Sequence, residues 1–274
     1  MEFIKESLES SAKPVRDVED SMLANQNERI AYATLLCNES YFNGVVVVIK
    51  TLRKHCSKRI PILCIVDNTK VSKSTRKRLQ NMCEHVVEVE TLLGSQTSSS
   101  TENSPWAASE MTKLRLWQLT DFDSIVYVDA DCMVLSSLDD IFERCKTVDF
   151  AAAPDVFPPD KFNAGVLYLR PNINTFRALC EALPVLESYD GGDTGFLNAF
   201  FPDWYKSSSA ARLPFGYNMQ RTLYWFTYSI RPGYWDSIHP KKVVHFSSSP
   251  KPWETSMAAA RGDLEWLWWE TLMS

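Results

Sequence analysis

The chain has 274 residues, 45% hydrophobic and 23% charged, enough apolar material for a packed core in one large domain or two small ones. Its formal net charge of -5 argues against a general nucleic-acid binder, which would carry a basic excess. A phosphate-bearing substrate must then be met by local positive charge or by a metal, because the field of the whole chain does not attract it.

In chain order, residues 1–27 are polar and poor in large apolar side chains, which predicts a flexible tail. Residues 30–36 form a β-prone run, and Cys37-Asn38-Glu39-Ser40 is a polar turn suited to open a helix that runs to about residue 55. The uninterrupted apolar stretch 60–66 predicts a parallel strand covered on both faces. A helix over 73–82 and a strand over 86–89 follow, and this alternation predicts a doubly wound α/β sheet. Residues 94–105 are Ser/Thr-rich and unpatterned and read as a mobile loop. In 107–119, Met111, Leu114 and Trp117 recur at helical spacing. Residues 124–128 are the next buried strand, with Asp129-Ala130-Asp131 at its end. A β segment over 162–169, a helix over 173–187 and an aromatic-rich region to Phe246 complete the domain. The aromatic stretch 264–269 predicts a C-terminal helix packed on that domain, with a dimer surface or an acceptor platform as its alternative use.

The seven cysteines (Cys37, Cys56, Cys64, Cys83, Cys132, Cys145 and Cys180) form no CxxC pair, and several lie in apolar runs as small hydrophobes. No apolar leader is visible, and the longest apolar run, 44–49, is far below the roughly 20 residues of a membrane span. A soluble protein in the reducing cytoplasm, with no membrane or nucleic-acid partner, is expected. The one N-glycosylation sequon, Asn38-Glu39-Ser40, is then expected to stay unmodified.

Asp129 and Asp131 are two apart, so in an extended chain their side chains point the same way. They leave the C-terminal end of a strand, where open α/β sheets bind ligands. Two hard oxygen donors there suit Mn²⁺ or Mg²⁺ bridging to a diphosphate. The pattern alone is weak: with 17 aspartates about one such pair arises by chance, and Asp121-Phe122-Asp123 is a second example, at the wrong end of the strand. A phosphoryl-transfer enzyme of the haloacid dehalogenase type also places two aspartates there, but it would want a following Gly-Thr where Cys132-Met133 stands.

The segments 38–41, Lys113, Asp129-Ala130-Asp131, Asn163-Ala164-Gly165, Asp190-Gly191-Gly192-Asp193 and 245–253 occur in the order and spacing of glycogenin. The chain thus resembles family 8 of the retaining glycosyltransferases from about residue 29 to 253. The resemblance implies a single GT-A, Rossmann-like domain over 28–255, followed by the helix in 256–274, and a UDP-sugar donor with Mn²⁺ or another divalent cation. By resemblance Leu35, Cys37, Asn38 and Tyr41 form the uridine pocket. Asp129, Asp131 and His245 hold the metal, with Ala130 between the two carboxylates, and Ser248 and Lys251 meet the diphosphate. Lys113, Asn163, Asp190, Asp193 and Thr194 hold the transferred hexose, with Lys113, Asp190 and Asp193 nearest the chemistry. Taken without the resemblance, His245 is a hydrogen-bonded core histidine, Lys251 a surface lysine, and Asp193 the cap of a helix over 194–200.

Departures from the family pattern redirect the expectation. The family's arginine on the loop before Lys113 has no basic counterpart in 94–105, so Arg115 or Lys251 is expected to take its part. Thr194 stands for a glutamine and Ser248 for a glycine. The self-glucosylated tyrosine falls on Trp225, with Tyr224 and Tyr228 close by. An indole has no oxygen nucleophile, so a separate acceptor is expected, a glycan or glycoprotein such as the glycan on the ubiquitin-ligase subunit Skp1, which a branch of glycogenin-like enzymes caps with α-galactose. A self-glucosylating primer and an inactive UDP-sugar-binding scaffold are the alternatives.

Overall fold

The computed structural model describes residues 28–92, 111–227 and 233–274. The expected tail, the loop at 94–105, the start of the expected helix at 107–119 and Tyr228 lie outside the described residues.

Strand β1 (Ile30–Leu36) is apolar on both faces and buried from Ala31 on, so it can only be an interior strand. It pairs in parallel with β2 (Ile62–Asp67) on one side and β4 (Ser124–Val128) on the other. Strand β3 (His85–Val89) lies outside β2, and β7 (Phe162–Leu169) and β6 (Phe150–Pro154) continue the sheet antiparallel beyond β4. The order β3-β2-β1-β4-β7-β6 is that of an α/β protein with a mostly parallel central sheet, as expected. Helix α1 (Phe42–His55), α2 (Lys73–Gln80) and the short α3 (Asp140–Arg144) cover one face; a 3₁₀ helix (Met111–Gln118), α4 (Ile173–Ala182) and α5 (Asp193–Phe200) cover the other.

Several bounds differ from those expected. The second strand begins at Ile62, after Pro61, and the helix predicted over 73–82 stops at Gln80. The helix predicted over 173–187 stops at Ala182, just before Leu183-Pro184, where proline disfavours the helical conformation of the residue ahead of it. The described part of 107–119 is 3₁₀ rather than α, buried on nearly all sides. Three short strands carried no periodicity to find: β5 (Cys132–Val134), β6 and β8 (Met219–Gln220).

A second, three-stranded sheet, β5-β9-β8, is completed by β9 (Val243–His245), and its register sets Cys132 opposite His245. The C-terminal helix α8 (Asp263–Met273) packs on α1 and on this small sheet through Trp268, which is fully buried against Val47, Met133 and Val244. Lys50 Nζ donates to the carbonyls of Thr271 (3.3 Å) and Leu272 (2.8 Å), a cation at the carbonyl end of α8. Among the described residues no helix is long and apolar enough to cross a membrane.

Removing the Trp268 indole leaves a cavity between α1, α8 and the small sheet. Trp268→Ala is expected to lower unfolding stability by about 3–5 kcal/mol, read by denaturant titration.

Candidate active site

In the strand order, β1 is followed by β2 on one side and flanked by β4 on the other, so chain connections leave β1 and β4 in opposite directions along the sheet. A crevice opens at such a switch point, at the carboxyl ends of the strands. The cleft there, about 360 Å³, is lined by Leu35, Cys37, Asn38 and Tyr41 following β1, and by Tyr127, Asp129, Ala130 and Asp131 at the end of β4. Lys113, Asn163, Asp190, Asp193, Thr194, His245 and Lys251 complete the lining. Of the site residues read from the sequence, only Ser248 is not among the lining residues. Its carbonyl and hydroxyl accept from Arg221, while Ser247 and Ser249 face the cleft. Of the two residues considered for the part of the family's loop arginine, Lys251 lines the cleft and Arg115 does not: it donates to Gln118 and to the Glu90 carbonyl, which leaves Lys113 and Lys251 as the cleft's cations among the described residues.

An irregularity in β7 builds the centre of the site. Against β6 the register jumps from Ala152–Leu167 to Ala153–Asn163, so residues 164–166 leave that ladder and their backbone groups need other partners. The Ala164 carbonyl accepts from Lys113 Nζ (3.1 Å), and the Ala164 N–H donates to Thr194 Oγ1 (3.1 Å). The Gly165 carbonyl accepts from the Asp129 N–H (2.8 Å), and the Gly165 N–H donates to Asn163 Oδ1 (3.0 Å).

That last bond fixes a chain of orientations. With Oδ1 of Asn163 an acceptor, its Nδ2 donates to Asp155 (3.2 Å), and the Asn218 group 2.9 Å from that same Oδ1 must be the amide nitrogen. Asn218 Oδ1 therefore faces His245 Nδ1 at 2.9 Å and accepts its proton. In the neutral imidazole Nε2 is then the bare nitrogen, 3.2 Å from Asp131 Oδ1, the tautomer a metal ligand needs. His245 is thus both the hydrogen-bonded buried histidine and a cleft residue. A Cβ on Gly165 would stand 2.4 Å from His245 Nδ1, so the imidazole occupies space that only glycine leaves.

The charged groups are paired. Lys113 Nζ lies 3.0 Å from Asp129 and also bonds Asp193, and Tyr127 donates its hydroxyl to Asp129 (2.5 Å). Lys251 Nζ donates to Asp131 (2.6 Å) and to the Phe246 carbonyl (2.8 Å). Burial alone would raise the Asp131 carboxyl, but the Lys251 ammonium beside it holds it well below the usual range. Burial raises Asp193 above that range against the pull of Lys113, and the Asp129 charge adds to the rise. Burial opposes the Lys113 charge, yet Asp129 and Asp193 together push its pKa above the ordinary lysine value. Burial and the Asp67 carboxylate push the Cys37 thiol up to about 12, so it is a neutral wall of the pocket.

Asp193 is the first residue of α5 rather than its cap; the cap is Gly192, and the loop is tied instead by Asp190 Oδ1, which accepts from Gly192 N–H and Gly195 N–H, both at 2.9 Å. Gly191 turns that loop at φ +73°, a conformation that favours glycine. Asn38 Oδ1 accepts from the Ser40 N–H (3.1 Å) and hydroxyl, closing an Asx turn at the cleft wall.

Ligand atoms of Asp131, Cys132 and His245 lie within 4.8 Å of one another. Asp129 is not in that group, because Lys113 and Tyr127 hold its carboxylate. Four cleft carboxylates (Asp129, Asp131, Asp190 and Asp193) face two ammonium groups, a net charge of -2 with His245 neutral. Such a cleft would repel a diphosphate, and one divalent cation cancels the excess; the hard carboxylate oxygens and the bare Nε2 suit it. Asn218 and Asp155, which orient His245 and Asn163, were missed from the sequence, since nothing in their spacing marks them as partners of residues 27 and 8 positions away.

A crevice at this switch point, with paired aspartates at the end of β4, is the layout of the GT-A fold, and solved structures agree on that fold. The GlyE glycosyltransferase of Streptococcus pneumoniae superposes with a TM-score of 0.63 over 90% of this chain and 61% of its own, at 21% identity. The chain belongs to glycosyl transferase family 8, which it matches over residues 33–256. It is 35% identical to Glycogenin-1 of Mus musculus over 224 residues, 81% of this chain and 65% of the relative. Against Glycogenin-1 of Caenorhabditis elegans it is 37% identical over 85% of this chain and 53% of the relative. The chain thus spans a little over half to about two thirds of the length of these relatives.

Loss of the Asn218 acceptor frees the His245 imidazole to rotate and to change tautomer. Asn218→Ala is expected to weaken Mn²⁺ binding about 10–100-fold with the fold retained, measured by calorimetric titration alongside circular dichroism.

Proposed function

We propose that the chain is a retaining, Mn²⁺-dependent hexosyltransferase that moves galactose or glucose from its UDP-sugar to a separate glycan or glycoprotein acceptor in the cytoplasm. The observation that carries this reading is the convergence of Asp129, Asp131, His245, Lys113 and Lys251 on one crevice at the β1/β4 switch point. Residues 28–255 would carry the chemistry, with α8 appended to them. When bound, the cation would neutralise the diphosphate as the glycosidic bond breaks and charge develops on the leaving group. Asp131 and His245, with Asp129, are the residues that would hold it. Lys251 sits 2.6 Å from Asp131 and would present its ammonium to the same phosphate oxygens. Tyr41 would offer a ring face to the uracil, backed edge-on by Trp253 at 5.2 Å. Asn163, Asp190 and Asp193 would take the hexose hydroxyls, each accepting or donating at a fixed position. Lys113, shared between Asp129 and Asp193, holds those two carboxylates at one spacing.

Asn38 supports the compartment, since it lines the pocket wall, where a glycan on its Nδ2 would exclude the nucleotide. The separate acceptor is supported by the packing of residues 221–227. Trp225 lies against two guanidinium groups, Arg221 at 4.2 Å and Arg261 at 5.0 Å. Tyr224 is 4% exposed, its ring edge-on to Trp235 at 5.3 Å, so its hydroxyl is not offered to a donor in the cleft. A transferred group needs its acceptor oxygen about 3–3.5 Å from the reacting carbon. A protein-linked glycan of the Skp1 kind meets that need as a separate molecule.

Asp131→Ala removes a hard ligand and leaves Lys251 without its partner; UDP release from UDP-galactose or UDP-glucose with Mn²⁺ is expected to fall on the order of a hundredfold or more. Full activity of Asp131→Ala in EDTA would end the metal-dependent reading. Wild-type protein incubated with either donor and Mn²⁺ is expected to keep its intact mass while UDP accumulates. A ladder of added hexoses that vanishes in a Tyr224→Phe, Tyr228→Phe variant would instead make it a self-glucosylating primer.

A further inference from the structure

Arg221, at the start of α6 (Arg221–Thr227), and Glu265, in α8, are both fully buried and form an ion pair at 2.7 Å. A buried pair of this kind contributes little that apolar side chains of the same volume would not, because desolvation offsets the attraction. What the pair does hold is a loop. Arg221 Nη2 donates to the carbonyl oxygens of Ser248 (2.5 Å) and Pro250 (3.0 Å) and to Ser248 Oγ (3.1 Å). Arg261 adds a second guanidinium: its Nη2 donates to the Pro250 carbonyl and to Glu265, both at 2.6 Å, and its backbone N–H donates to the other Glu265 oxygen at 2.7 Å.

Those two carbonyls belong to the segment between His245 and Lys251, whose Ser247 and Ser249 line the cleft. Burial pulls the Arg221 guanidinium down to about 10 even with the Glu265 charge beside it, so the carboxylate offsets part of the cost of burying that cation. We propose that Glu265 is a positioning residue for the diphosphate half of the nucleotide site: through Arg221 it fixes the Ser248 and Pro250 carbonyls and thereby sets where Lys251 presents its ammonium. The proposal rests on the reading of the cleft as a UDP-sugar site. Glu265 lies outside residues 33–256, the part matched to the family.

Helix α8 reaches the base half of the site by a different kind of contact. Trp268 packs on Trp253 at 5.5 Å, and Trp253 on Tyr41 at 5.2 Å. One helix thus supports the base by apolar contact and the diphosphate by charge, and the two supports separate under substitution. Glu265→Gln keeps the volume and removes the charge. Arg221→Met combined with Glu265→Leu replaces the whole pair by apolar side chains, an exchange that buried ion pairs often tolerate without loss of stability.

UDP and uridine, each with Mn²⁺, are titrated calorimetrically into the wild type and both variants. In both variants the affinity for UDP is expected to fall at least about tenfold, because the diphosphate loses a charge-assisted contact held in place, while affinity for uridine stays within about twofold. Unchanged affinity for UDP in either folded variant, or equal losses on UDP and uridine, would overturn the proposal, since the pair would then be idle or merely structural. A Glu265→Gln protein that does not fold hands the decision to the double variant, and loss of folding in both would overturn it as well by making the pair a folding element. Wild type that binds neither UDP nor uridine would instead overturn the donor reading itself.

Discussion

Every other feature of the site depends on how three carboxylates are paired with two ammonium groups at the rim of a buried sheet. The side chains of Asp129, Asp131 and Asp193 are 23%, 11% and 10% exposed, and the lysines that neutralise them are 4% (Lys113) and 8% (Lys251) exposed. An unpaired charge at that depth costs several kcal/mol, so neither lysine can leave without a replacement cation. This couples the two halves of the cleft to ligand entry. A cation held at Asp131 would take over part of the neutralisation that Lys251 supplies, and the ammonium, 2.6 Å from Asp131, would become available to an incoming anion. Lys113 has no such exchange, since two carboxylates and the Ala164 carbonyl hold it at once.

The fold supplies the geometry for this pairing through irregular backbone rather than regular elements. The unpaired stretch of β7 delivers a carbonyl to Lys113 and an N–H to Asn163, and the three-stranded sheet sets His245 beside Asp131 by pairing it with Cys132. A flat, fully paired β7 would satisfy its own carbonyls and leave Lys113 short of a partner. The disruption of that ladder is what builds the site.

The alternation of apolar strands with helices made the central sheet legible, because β1, β2 and β4 are covered on both faces and read as continuous hydrophobic runs. Asp129 and Asp131 were legible for the same reason: they follow such a run directly. The short strands β5 and β8, of three and two residues, were not, because a period of two cannot be recognised over so few positions. Nor were Asn218 and Arg221, which act only through contacts far apart in sequence. Ser248 shows the limit of position-by-position reading. Its neighbours Ser247 and Ser249 face the cleft, while Ser248, where the chain begins to bend, turns away and is held by Arg221.

Trp225 joins the acceptor question to the C-terminal helix. The position where the glycogenin pattern carries an acceptor hydroxyl here carries an indole, which has no oxygen nucleophile but has the ring face best suited to a cation. Two guanidinium groups use it, and both are the ones that bind Glu265 and the Pro250 carbonyl. Under the proposed reading, one residue change removes the internal acceptor and adds a wall to the arginine pair that holds the Lys251 loop. A tyrosine at 225 would still offer a ring, but its hydroxyl would need a partner wherever the ring is buried. The indole has no hydroxyl to satisfy, so under that reading the residue that forgoes self-modification is also the one that serves two arginines.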